Sequence, residues 1–136
     1  MTKEIRSFPT LIYFRYNKMY NVIILFGVSG CGKSLIGSQL SKDLQFEFIE
    51  GDDFHSDENI QKMKNNIPLN DDDREIWLDR INKELYKLRN KNVVIACSAL
   101  KEIYRKRLVS GIEAKIDWFC LKGTFDIIKE RLDNRD

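Results

Sequence analysis

The stretch Gly27-Val28-Ser29-Gly30-Cys31-Gly32-Lys33-Ser34 fits the pattern G-x-x-x-x-G-K-[ST] without a mismatch. The chemistry needs these residue types. Glycines let the backbone wrap tightly, so that its N–H groups converge on phosphate oxygens. A helix beginning near Lys33 adds its positive dipole end. The Lys33 ammonium reaches the outer phosphates of a nucleotide, and the Ser34 hydroxyl is placed to ligate Mg²⁺. The expected context flanks the loop on both sides. Val22-Ile23-Ile24-Leu25-Phe26 is a continuous apolar run, as in a strand buried on both faces. Ile36, Leu40 and Leu44 then recur every four residues, as on one face of a helix. Cys31 is read as one of the loop's variable positions, although a thiol there could have a depressed pKa.

Outward from the loop, strand and helix signals alternate. Phe46 to Ile49 reads as a second strand. A long helix is expected from Asp71, with Trp77, Ile81, Leu85 and Leu88 on one stripe and acids in its first turn. Val93 to Cys97 reads as another buried strand, and Leu100, Ile103, Tyr104 and Leu108 mark another helix. Ile116 to Leu121 gives a fourth strand. Phe125, Ile128 and Leu132 form a final helix that Thr124 could cap. This alternation predicts an α/β fold with a parallel sheet and helices on both faces.

Composition bounds the function classes. The chain has 136 residues, of which 43% are hydrophobic and 32% charged. That suits one folded domain with a single core. No apolar run approaches the ~18 residues needed to span a bilayer. With 23 basic and 21 acidic residues, the net charge of +2 is too balanced to imply a nucleic-acid partner. Three scattered cysteines and a single histidine argue against a disulfide framework or a zinc site. A reducing cytoplasm is the expected compartment. Residues 1–18 show no clear period and are expected to be a poorly ordered extension; a transit peptide is disfavoured by Glu4 and the scarcity of serine. The folded unit is expected over 19–136.

The second strand ends in Glu50-Gly51-Asp52-Asp53, at the carboxyl edge where open α/β sheets place ligands. A carboxylate there can take a proton from an attacking hydroxyl, or hold Mg²⁺ through water. The competing reading is solvated acids in a turn. The strand Val93 to Cys97 lacks a terminal Asp, so Mg²⁺ would rely on Ser34, waters and Glu50 or Asp52. Ser98, Lys101, Tyr104 and Arg105 follow at the same edge, where the cations could receive an anionic group or simply be a solvated face. Arg131 and Arg135, four apart, share a helix face.

Together these segments resemble the gluconokinase family, small P-loop kinases that phosphorylate D-gluconate on its 6-hydroxyl with ATP. The resemblance rests on the loop, on Gly51-Asp52 with His55 and Asn59, and on Ile67-Pro68-Leu69-Asn70-Asp71-Asp72-Asp73-Arg74 with Trp77-Leu78. Cys97-Ser98-Ala99-Leu100-Lys101 with Tyr104-Arg105, and Leu121-Lys122-Gly123 with Phe125-Asp126 and Arg131-Leu132, complete it. It implies a P-loop kinase fold, ATP and Mg²⁺ as cofactors, and gluconate as the small-molecule partner; a homodimer is compatible with it. Asp52 is implied to activate the acceptor hydroxyl. His55, Asn59, Arg74, Lys101 and Arg105 are implied on the substrate side, with no single cation assigned to the carboxylate. Arg131 and Arg135 are implied to begin a lid whose arginines cover the transferring phosphate.

The chain also departs from the family. His55-Ser56 stands where His-Pro is usual, and Glu50 where Asp is usual. Family members continue beyond the equivalent of Asp136 with the rest of the lid, a last strand, an adenine-contacting loop and a closing helix. The C-terminal part of the family fold is therefore expected to be missing, and the chain to be marginally stable and nearly inactive. The rival readings are another small-molecule kinase, such as a shikimate kinase, and a nucleotide-binding remnant without turnover.

Overall fold

The computed structural model describes residues 19–28 and 32–121. The expectations for residues 1–18, for Ser29, Gly30 and Cys31, and for the final helix with Arg131 and Arg135 lie outside these residues.

Four strands, β1 (Asn21–Phe26), β2 (Glu47–Glu50), β3 (Val93–Ala96) and β4 (Lys115–Cys120), form one sheet in the order β2-β3-β1-β4. Every pairing is parallel, with Val22 and Glu47 both opposite Val93, and Val22 opposite Ile116. The helices are α1 (Lys33–Leu44), α2 (Asp57–Lys64), α3 (Asp71–Lys87) and α4 (Glu102–Leu108), with a 3₁₀ turn at Gly51–Phe54. The α/β parallel sheet expected from the strand–helix alternation is therefore present.

Strand alternation sends neighbouring side chains to opposite faces. Val22, Ile24, Ile49, Val93 and Ile95 meet Trp77, Leu78, Ile81 and Leu85 of α3 and Tyr104 and Leu108 of α4 in one core. On the other face lies α1. A Cβ on Gly37 would come within 2.7 Å of Phe48 and 3.5 Å of Leu25, so a glycine inside this helix lets α1 press close to the sheet. The α3 start was legible because Asn70 and Asp73 form a capping box, each side chain accepting from the other's backbone N–H.

Two sequence expectations are corrected. Leu100 and Ile103 do not form an inward helical face with Tyr104 and Leu108. The helix begins at Glu102 after the N-cap Lys101; Leu100 precedes it, and both Leu100 and Ile103 are exposed. A seven-residue helix buries only an i, i+4 pair here, Tyr104 and Leu108. On α1, Leu44 is exposed and the buried positions are Gly37 and Ser41. The inward stripe there is made by small residues, which apolar periodicity does not detect.

Candidate functional site

The carboxyl ends of β1, β2 and β3 converge on the phosphate loop. Gly27 and Gly32 hold φ of 148° and 91°, the positive-φ conformations that a glycine adopts at little cost. The N-cap of α1, Gly32, makes no side-chain cap bond, and the first turn carries no acid. Lys33 Nζ donates to the Val28 carbonyl at 3.0 Å, drawing the ammonium over the loop.

Beneath the loop, Cys97 is buried at the end of β3. Burial pushes its thiol up to about 12, with the Asp52 and Glu50 charges adding and Lys33 opposing. The end of β2 packs directly on this residue: a Cβ on Gly51 would lie 3.3 Å from Cys97 Cα. Glu50 accepts weakly from the Asp52 N–H at 3.4 Å and starts the 3₁₀ turn that carries Asp52. Gly51 is buried between them, and its carbonyl accepts from Trp77 Nε1–H at 2.7 Å. This pins the end of β2 to α3.

The Trp77 ring also sets His55. The two rings stack at 4.3 Å with an interplanar angle of 15°. Burial lowers the His55 pKa below its ordinary 6.5; the Arg74 charge adds to this and Asp52 opposes it. His55 Nδ1 lies 3.2 Å from Asn59 Nδ2. Asn59 is buried, and its Nδ2 also donates to the Asp73 carbonyl at 3.3 Å. Ser56 caps α2 by accepting from Asn59 N–H at 3.0 Å. The serine that departs from the family's proline therefore starts a helix.

The cations Arg74 and Lys101 gather around Tyr104 at the start of α4. Tyr104 OH donates to Asp71 Oδ1, and Lys101 Nζ is 3.7 Å from the same oxygen. These two contacts hold the Asp71 carboxyl below the usual carboxylate range, Tyr104 contributing most. Lys101 and Arg74 both lie over the Tyr104 ring, at 5.3 and 5.6 Å. Arg74 gives one N–H to the Leu69 carbonyl at 2.8 Å. Arg105 is more committed: it donates to the Ala99 and Leu100 carbonyls at 3.1 and 2.6 Å and stacks over Phe26 at 4.8 Å.

Comparison with known proteins fits this arrangement. A family model described as shikimate kinase matches residues 29–136. The thermoresistant gluconokinase of Escherichia coli K12 is 41% identical over 121 residues, covering 88% of this chain and 69% of the relative. The chain belongs to the gluconokinase family. A probable gluconokinase of Dictyostelium discoideum is 42% identical, over 84% of this family member and 60% of the relative. The crystal structure of a gluconokinase from Sinorhizobium meliloti 1021 superposes with a TM-score of 0.76 at 39% identity, covering 88% of this chain and 67% of that one. Its fold is thus that of the P-loop kinases. The chain spans about 60 to 70% of the length of these relatives.

Of the residues the resemblance implies, the structure brings His55 within 3.2 Å of Asn59 and sets Arg74 and Lys101 over the Tyr104 ring, while Arg105 is committed to the Ala99 and Leu100 carbonyls. Sequence reasoning missed α2 and the structural part that Trp77 plays under His55. Ser56 followed by two acids was a helix-start signal for α2. Nothing in the sequence links Trp77 to His55.

Ser34 lies exposed in the first turn of α1. Among the described residues, no group of three His, Cys, Asp or Glu side chains could hold a metal. Mg²⁺ bound mainly by phosphate oxygens and waters needs only one or two protein ligands, and the exposed Ser34 hydroxyl is of a kind that would supply one. No described helix is long and apolar enough to cross a membrane.

Proposed function

We infer that this chain transfers the terminal phosphate of ATP to the 6-hydroxyl of D-gluconate. The observation that supports this most directly is the fixed His55 ring, stacked on Trp77 and 3.2 Å from Asn59 just beyond Asp52, in a chain 41% identical to a gluconokinase. Mg²⁺, when bound, neutralises charge on the phosphates, with Ser34 as its protein ligand. Lys33 binds the outer phosphate oxygens. Asp52 orients the acceptor hydroxyl and takes its proton as the oxygen–phosphorus bond forms and ADP leaves. Arg131 and Arg135 act as lid cations over the transferring group.

Arg74 and Lys101 favour an acidic acceptor. Arg74 uses one of its five donors on Leu69, which leaves its fork able to take a carboxylate. A neutral sugar would leave these cations uncompensated in a closed site. Cytoplasmic placement follows from the same reading, since ATP and a reduced Cys97 both suit that compartment. The test is acceptor-dependent ADP release with gluconate, glucose, sorbitol and shikimate in parallel. Gluconate should be preferred. Equal rates with neutral polyols would contradict a carboxylate-reading site.

A further inference from the structure

The amide of Asn59 decides where the single proton of His55 sits. Asn59 is almost fully buried, so its hydrogen bonds cannot be traded for water. Its Nδ2 faces two partners, the Asp73 main-chain carbonyl at 3.3 Å and His55 Nδ1 at 3.2 Å. A carbonyl can only accept, so the nitrogen side of the amide is the side turned towards both. One amide hydrogen goes to Asp73 and the other to the Nδ1 lone pair.

A neutral imidazole that accepts at Nδ1 carries its hydrogen on Nε2. No described residue accepts from that Nε2–H. The ring plane is held by the stack on Trp77, whose own indole N–H is tied to Gly51 at the end of β2. We propose that Asn59 is a positioning residue that fixes His55 as the neutral Nε2–H tautomer, so that the imidazole meets the acceptor as a hydrogen-bond donor and not as a base. This rests on reading the Asp52–His55 cluster as the acceptor site.

The consequence is a division of labour. His55 gives a hydrogen bond to an oxygen of the polyol acid, and Asp52 alone remains to receive the hydroxyl proton. The charged groups facing the ring are Asp52 on the 3₁₀ turn and Arg74 on α3, which act on it in opposite directions. The Asp73 side chain is turned to Lys62 at 2.8 Å and to the Asn70 N–H, and its main-chain carbonyl accepts from Asn59 Nδ2.

His55 is the only histidine in the chain, so one imidazole is seen in a long-range ¹H–¹⁵N correlation spectrum. At pH above the His55 titration, the unliganded 136-residue protein should show Nε2 protonated and Nδ1 bare. Asn59→Asp offers a carboxylate instead of a donor; it should move the proton to Nδ1 and raise the titration midpoint above the ordinary imidazole value. Ser56→Ala removes the bond accepted from the Asn59 main-chain N–H but keeps the Asn59 side-chain amide, and should leave the tautomer unchanged. A wild-type spectrum with Nδ1 protonated, or an equal mixture of tautomers, would overturn the proposal even if no variant folds. So would a folded Asn59→Asp protein with the wild-type spectrum. Gluconate is then titrated in as a separate arm. A perturbed Nε2–H signal is expected; the stated tautomer with no response to gluconate would refute the donor role and the acceptor-site reading while leaving the tautomer assignment standing.

Discussion

Replacing Gly51 with alanine puts a methyl group where the fold has no room. A Cβ at this position would lie 2.7 Å from the Ala96 carbonyl oxygen and 3.3 Å from both Cys97 Cα and Cβ. Carbon contacts are comfortable at about 3.5–4.0 Å, so a displacement of roughly 0.5–1 Å is required. The first two obstacles are backbone atoms of Ala96, the last residue of β3, and of Cys97 just after it, and this stretch cannot yield cheaply. The four β3 residues are all buried, and the Cys97 N–H is tied to the Leu25 carbonyl at 3.0 Å. The end of β2 must therefore move, taking with it the Gly51 carbonyl that anchors Trp77. Overpacking of this kind costs about 1–3 kcal/mol. At about 4 °C per kcal/mol for a domain of this size, the Tm should fall by about 4–12 °C. Asp52 is the next residue, and a shift of about 1 Å in a reacting group can lower kcat/KM by about 10²-fold. Thermal melts and coupled ADP-release kinetics on Gly51→Ala read both effects. Gly111→Ala is the control: that glycine has a φ of +74° and open space around it, so the substitution should cost stability and spare the kinetics. A Gly51→Ala protein with the wild-type Tm and kcat/KM would refute the close-approach argument.

Asp52→Asn keeps the shape and removes the base; it should lower kcat by about 10² to 10⁴-fold with little change in gluconate KM, and a loss confined to KM would make Asp52 a binding residue. Trp77→Phe leaves the buried Gly51 carbonyl without its donor, and should cost about 1–3 kcal/mol by chemical denaturation; a loss below about 0.5 kcal/mol would show that this bond does not pin β2. The His55 pKa is lowered in the folded state, chiefly by burial, so the unfolded chain binds more protons just below its ordinary 6.5. That contribution to stability is present above 6.5 and is lost as pH falls through the lower folded value. His55→Gln should therefore flatten the stability–pH curve over that window, and an unchanged slope would contradict the sign.

The parts of the fold that were legible from sequence are those where burial and period coincide. β1 and β3 sit between two layers, so Val22 to Phe26 and Val93 to Cys97 read as unbroken apolar runs. α3 shows Trp77, Ile81 and Leu85 at helical spacing because one face of it covers the sheet. α2 showed no apolar face for the opposite reason, and its start signal at Ser56 was missed: its only buried residue is the polar Asn59, while Ile60 and Met63 are exposed. Leu100 and Ile103 misled because apolar residues at the right spacing lie on the solvent side of α4. At the site, Asp52 was singled out by its position just beyond a strand, and His55 only through the family resemblance. The Trp77 stack and the Asn59 amide were not legible, since both join residues that only the tertiary fold brings together.

Acceptor-dependent ADP release tests the phosphotransfer account most directly. Purified chain, ATP and Mg²⁺ are assayed with gluconate, with shikimate and with no acceptor, alongside Lys33→Ala. The account predicts release that depends on gluconate, exceeds that with shikimate, and disappears with Lys33→Ala. Release that is indifferent to gluconate, greater with shikimate, or undiminished in Lys33→Ala would contradict it.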